Sequence, residues 1–198
     1  MTLNPMDKKI ALLVVDAQES FKARGDVFWQ SRGPEDFEHN IKALVNGFRK
    51  NGRPVFFILH TDDDPGFSQD SPFFRVMDFL EHRPGEPVIV KRAHNAFIGT
   101  HLLPLLVHNG ISRVAICGIR TEQCCETTAR VASDLGFEVD FITQATLTFP
   151  LTHPVTGETL TVEQIQSRTE VVLHNRFARI TTVDKILNSI EKYGQEAG

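Results

Sequence analysis

At 198 residues the chain has the length of one large α/β domain, and a domain of that size buries roughly 70% of its unfolded surface without needing disulfides or a structural metal. Its 21 lysines and arginines are interspersed among 25 aspartates and glutamates, with no basic stripe, which excludes nucleic acid and anionic membrane as expected partners. Three cysteines, Cys117, Cys124 and Cys125, form an odd and crowded set that suits a reducing cytosol better than a secreted disulfide framework. Residues 1–9 are polar without a signal-peptide pattern, and no segment approaches bilayer-spanning length, so the expected location is cytoplasmic.

Residues 10–15 are a continuous apolar run, as expected of a strand covered on both faces, and the run ends at Asp16. Pro34, Glu35 and Asp36 suit the first turn of a helix that carries Phe37, Ile41, Leu44, Val45 and Phe48 and stops at Gly52. Residues 55–59 predict a second buried strand, 61–72 an acidic turn-rich loop, and 88–90 a third strand ending at Lys91. Leu102, Leu105 and Leu106 mark a helix with Pro104 in its first turn and Asn109-Gly110 as its stop. Residues 113–117 predict strand four, Gly118 opens the turn into a helix reaching about Leu135, and 138–142 predict strand five. Residues 149–160 have no period and read as an ordered loop or lid. Thr161 and Gln164 pair as a capping box before a further helix, and 177–181 with Val183, Ile186, Leu187 and Ile190 supply a sixth strand and a last helix.

This alternation predicts a single-domain, Rossmann-like three-layer α/β/α sandwich with a mostly parallel six-stranded sheet, its core at about residues 10–190 of 1–198. Ligands of such sheets bind beyond the carboxyl ends of the strands, where Asp16, Lys91 and the turn after Gly118 all fall. A cysteine near a helix start has free N–H groups and the positive helix end beside it, which lowers a thiol pKa from near 8.5. Cys117, in mid-strand, reads as a buried small hydrophobe; Cys124 stays open between that role and a nucleophile. Lys91 is either a surface lysine or a buried cationic partner, and Asp16 either a turn residue or a carboxylate of a thiol-amine-carboxylate set.

Three motifs resemble the isochorismatase-like cysteine hydrolases, a superfamily that includes nicotinamidases and N-carbamoylsarcosine amidohydrolase: Ala11-Leu-Leu-Val-Val-Asp16-Ala-Gln18-Glu-Ser-Phe21, Lys91-Arg-Ala-His-Asn-Ala-Phe97, and Gly118-Ile-Arg-Thr-Glu-Gln-Cys124-Cys125-Glu-Thr-Thr-Ala129. The resemblance implies Cys124 as nucleophile, Asp16 as general base and Lys91 as the residue holding the charge balance. It also implies a cis peptide between Ile119 and Arg120, with the backbone N–H groups of Arg120 and Cys124 forming an oxyanion hole. Cys125, about 100° round a helix from Cys124, is expected to pack rather than react. Gln18, Phe21, Trp29, Arg92 and Asn95 are candidate substrate-binding residues.

The metal site of nicotinamidases is not recognisable in His60-Thr-Asp-Asp-Asp64-Pro-Gly, so no metal or other cofactor is expected. The expected activity is hydrolysis of a C–N bond in a small amide, carbamoyl or ureido compound through an acyl-enzyme. An isochorismatase-type ether hydrolase and a non-catalytic binding module on the same fold are the alternatives, and the resemblance implies a homo-oligomer.

Overall fold

The computed structural model describes residues 9–195, so most of the polar segment 1–9, and residues 196–198 of the expected domain, lie outside the described residues. The strands are β1 (Lys9–Val15), β2 (Val55–His60), β3 (Val88–Lys91), β4 (Ile111–Ile119), β5 (Glu138–Leu147), β6 (Leu151–Thr152), β7 (Thr159–Leu160) and β8 (Arg179–Ile180). The helices are α1 (Asp26–Gln30), α2 (Phe37–Lys50), α3 (Leu102–His108), α4 (Glu126–Asp134), α5 (Val162–Leu173) and α6 (Val183–Gln195). Six strands form one sheet in the order β3-β2-β1-β4-β5-β8, with every neighbouring pair parallel.

The apolar run of β1 is buried on both faces because the sheet has a core on each side. Ile10, Leu12 and Val14 join a cluster with Phe37, Ile41, Leu44 and Phe48 of α2 and Ile186 and Ile190 of α6. Ala11, Leu13 and Val15 point the other way, to Leu102 and Leu106 of α3, Ala129 and Ala132 of α4 and Leu173 of α5. Each side chain that alternates along the strand therefore meets a helical layer, which is the three-layer sandwich.

Several boundaries differ from the sequence expectation. Pro34 follows a cis Gly33–Pro34 bond and precedes α2, which starts only at Phe37, so Pro34, Glu35 and Asp36 do not form its first turn. The polar loop after β1 contains a 3₁₀ turn (Glu19–Arg24) and α1, both held by Phe21, Phe28 and Trp29 packing against the core. The segment expected as an ordered loop or lid over 149–160 is ordered as an exposed hairpin, β6 against β7, anchored at its base by the buried Phe149. The expected capping box of Thr161 and Gln164 closes the start of α5.

The chain runs outward through β1, β2 and β3, then crosses back to place β4 on the other side of β1. The carboxyl ends of β1 and β4 thus mark a switch point, where a crevice opens. Gly118 makes this junction close: its φ is +126°, and a Cβ there would lie 1.8 Å from the Val15 carbonyl oxygen. That neighbour is backbone and cannot yield. We expect Gly118→Ala to destabilise the fold by at least about 3 kcal/mol, roughly 6–12 °C in Tm for a chain of this size; a thermal melt within a degree or two of wild type would contradict the packing described.

Candidate active site

Asp16 follows β1, Lys91 ends β3, and Cys124 lies in the turn after β4. Strands two apart in a sheet are separated by roughly 9–10 Å, so β3 can meet the far side of β1 only through a long side chain. Lys91 supplies it. Its Nζ donates to Asp16 Oδ2 at 2.8 Å and to Cys124 Sγ at 3.4 Å, and also to the Ala93 carbonyl at 3.2 Å. Asp16 turns toward it with φ +49°, the left-handed region that Asp tolerates better than most residues. The Lys91 and Asp16 side chains are 0% and 1% exposed, so this is a buried ion pair.

His60, at the end of the intervening β2, completes the arrangement. Its Nδ1 lies 3.3 Å from Lys91 Nζ and its Nε2 3.2 Å from Asp62 Oδ2. Burial, and then the Lys91 charge, hold the His60 pKa below its ordinary value, with Asp16 and Asp62 opposing. A neutral imidazole donates from Nε2 to Asp62 and turns its Nδ1 lone pair to the ammonium, whose three N–H groups are shared among four acceptors.

Burial alone would lower Lys91, but Asp16 and Cys124 outweigh it and raise its pKa above the usual lysine value, so the ammonium persists. Cys124 moves the other way from the expectation based on a helix start. Burial first, and the Asp16 charge second, raise its thiol above the ordinary range, against the opposing pull of Lys91. Burial and Asp16 thus favour the protonated form of the sulfur. Cys124 also lies within a π-helical turn, Thr121–Cys125, rather than in the first turn of an α-helix, and α4 begins only after it.

That turn is held from several directions. The Ile119–Arg120 peptide is cis, and the Arg120 carbonyl accepts from the N–H groups of Gln123 at 3.2 Å and Cys125 at 3.1 Å. Thr121 Oγ1 donates to Thr146 Oγ1 at 2.8 Å, which donates in turn to the Thr143 carbonyl, tying the turn to β5. Behind the cysteines, the buried Glu126 carboxylate accepts from Arg130, Arg168 and Thr169, joining the start of α4 to α5. Cys125 and Cys117 are fully buried in the two cores, whereas Cys124 retains 8% exposure. That exposure opens onto a cleft.

The cleft, about 120 Å³, is lined by Asp16, Phe21, Arg24, His60, Phe67, Arg120 and Cys124 together with Asp62, His94 and Gln123. This is below the size of a drug-sized pocket and suits a small substrate. A larger hollow of about 300 Å³ lies at the amino ends of β4 and β5 beside Arg113 and Asp140, far from these groups, and carries no comparable chemistry because both of those side chains are spent on each other.

Of the candidate binding residues, Phe21 alone lines the cleft. Gln18 is buried and spent internally: its amide exchanges two hydrogen bonds with the His60 backbone, 2.7 and 3.0 Å, and fixes the ends of β1 and β2 together. Trp29 packs away from the cleft, under the Arg32 guanidinium at 4.2 Å. Arg92 points to solvent and pairs with Asp63, and the Asn95 side chain caps the Phe97 and Ile98 N–H groups in the loop after β3. Arg24, Asp62 and Gln123 were not singled out in the sequence; Arg24 in particular is one of several arginines, and nothing in its local pattern distinguishes it.

Among the described residues no three of His, Cys, Asp and Glu converge in a way that could hold a metal ion. His60 spends its two nitrogens on Lys91 and Asp62, so the residues present do not fit the metal site known from nicotinamidases, and no step below passes through a metal.

Residues 10–184 match the family model for the isochorismatase domain. The chain is 32% identical to the isochorismatase family protein YrdC of Bacillus subtilis, over 94% of this chain and 99% of that one. It is 28% identical to Nicotinamidase 3 of Arabidopsis thaliana, over 94% and 91% of the two chains. A solved structure of an isochorismatase-family protein from Chromobacterium violaceum superposes with a TM-score of 0.86 at 28% identity, covering 96% of this chain and 97% of that one. With its motifs, sheet order and matched length in agreement, the chain belongs to the isochorismatase family of hydrolases.

Proposed function

We propose that this hydrolase cleaves a C–N bond of a small amide, carbamoyl or ureido compound through a thioester on Cys124. The observation that carries the reading is the Lys91 ammonium held between Asp16 and the Cys124 sulfur at the floor of a small cleft. The relationship to a nicotinamidase supports carboxamide chemistry, while the unmatched metal residues argue against assigning that enzyme's own substrate.

The charge distribution suggests the order of events. Asp16 Oδ1 is buried and accepts no hydrogen bond, yet the Asp16 carboxylate is close enough to raise the thiol. As Sγ attacks the substrate carbonyl, a C–S bond forms and the thiol proton passes to Asp16. The oxygen becomes an oxyanion, received by the backbone N–H groups of Arg120 and Cys124. On collapse the C–N bond breaks, and Asp16 returns its proton to the departing amine. Water then attacks the thioester, giving a proton to Asp16; the C–S bond breaks, the acid leaves, and the thiol regains its proton. Lys91 remains an ammonium throughout, its Nζ held on Asp16 Oδ2.

Screening small primary amides, carbamoyl and ureido compounds for ammonia release tests the reaction class. At least one should turn over with a Cys124-dependent rate; a panel that stays inert while a vinyl ether is cleaved would overturn it. Asp16→Asn keeps the shape but removes the proton acceptor, and should lower kcat by roughly 10²–10⁴-fold in folded protein. A folded variant with near wild-type turnover would return Asp16 to a structural role.

Removing Lys91 leaves a buried, unpaired carboxylate, a change that commonly costs about 3–5 kcal/mol. Lys91→Met should accordingly melt well below wild type, and Asp16→Asn combined with Lys91→Met should recover much of the loss. Additive destabilisation in the double variant would show that the two charges do not depend on each other. Limited iodoacetamide should label Cys124 ahead of Cys117 and Cys125, since Cys124 alone of the three faces the cleft; preferential labelling of Cys125 would overturn the nucleophile assignment.

A further inference from the structure

Two guanidinium groups that line the cleft, Arg24 and Arg120, rest against a cluster of aromatic rings, of which Phe21 and Phe67 also line it. Phe28 and Phe149 stack with centroids 4.2 Å apart, and Phe67 meets Phe21 edge-on at 5.0 Å. The Arg120 guanidinium lies over Phe149 at 4.8 Å and over Phe28 at 5.6 Å. That of Arg24 lies over Phe67 at 5.3 Å and shares Phe28 at 5.6 Å. A guanidinium held against aromatic rings gains from their π electrons but leaves its N–H donors available for a stronger acceptor.

For Arg24 that something is Asp64, whose Oδ2 is 3.1 Å from Nη2. Among the described residues Arg120 has no such partner: its side chain makes ring contacts but no hydrogen bond or ion pair. None of the acidic groups nearby pairs with it. Asp16 is spent on Lys91 and Asp62 on His60. Glu122 accepts from Thr148 Oγ1 at 2.6 Å, and its other oxygen is buried without a partner; it acts on Arg120 by charge but makes no ion pair with it. Arg120 is also partly desolvated and repelled by Arg24. Two like charges on one apolar wall, with one in-plane fork unused, are an arrangement completed by an anion from outside the chain.

We propose that the Arg120 guanidinium is the receptor for a carboxylate on the substrate, so that the cleft selects small amide, carbamoyl or ureido acids over their neutral counterparts. This rests on the C–N hydrolase reading above and adds the substrate's charge to it. The fork of five N–H donors matches a planar carboxylate in two parallel hydrogen bonds. Because the same residue contributes its backbone N–H to the expected oxyanion site, the carboxylate would be held one arginine side chain away from the carbonyl under attack. Arg120 would then both place the reacting carbonyl and read the group attached to it.

The test compares succinamate with its neutral isostere succinamide, using ammonia release, and separately measures succinate binding by calorimetry. Wild type should favour succinamate in kcat/KM, and Arg120→Gln should reduce that preference by roughly 10- to 100-fold, the effect of losing a charged hydrogen-bond donor. Arg120→Lys, which keeps the charge but not the fork, should fall between the two. An unchanged preference in Arg120→Gln, or a wild-type preference for succinamide, would overturn the proposal. If neither compound is hydrolysed, the C–N reading fails for this pair and binding decides the anion site by itself. Succinate that binds wild type and weakens at least about tenfold in Arg120→Gln upholds it, whereas equal binding, or none to wild type, refutes it.

Discussion

Everything at this site depends on one buried contact, the Lys91 ammonium on the Asp16 carboxylate at 2.8 Å. Neither charge has water to stabilise it, so each is tolerable only because the other is there. The pairing dictates the rest. It keeps Lys91 protonated where an isolated buried amine would lose its proton. Burial, and then repulsion from Nζ, hold the His60 pKa down, with Asp16 opposing. The sulfur then faces a carboxylate and an ammonium whose effects oppose, and burial decides in favour of the thiol.

The fold's contribution is to make that contact obligatory. Parallel strands deliver their carboxyl ends to one edge, and the crossover from β3 to β4 opens the crevice between β1 and β4. A short arm from β1 and a long one from β3 span the end of β2, while Gln18 locks β1 to β2 through the His60 backbone. On the other side, Gly118 lets β4 approach Val15 closely enough to bring Cys124 over the pair. The polar ties of Thr121 to Thr146 and of Glu126 to α5 then anchor the Thr121–Cys125 turn on both sides. Such a site is positioned by backbone geometry more than by flexible contacts.

Much of this was legible in the residues. Continuous apolar runs ending in Asp16 and Lys91 located two strand ends, and Gly118 marked the third, because strand burial and helix periodicity are local patterns. The capping pair of Thr161 and Gln164 was local in the same way. What escaped was non-local. Gln18 stands in the same motif as Asp16, and only the fold shows that its amide is consumed by His60. Trp29, Arg92 and Asn95 have side chains suited to binding but are turned to core, solvent and a loop turn. The helix-start expectation for Cys124 meets opposing effects that the spacing of the turn does not show: burial and an approaching carboxylate from β1 push the thiol up. Arg120 was noted for its backbone, while the aromatic wall under its side chain comes from Phe28 and Phe149, distant in the chain.

At rest the site holds an ion pair, and burial with the Asp16 charge favours a protonated cysteine over a thiolate. The most direct measurement is the ultraviolet absorbance of thiolate, followed from about pH 5 to about pH 9 as the difference between wild type and Cys124→Ser. A difference that shows no titration step across this range is the predicted result. A step assigned to Cys124 with a midpoint near or below neutrality would show a resting thiolate, and would contradict the transfer of the thiol proton to Asp16 on which the proposed reaction is built.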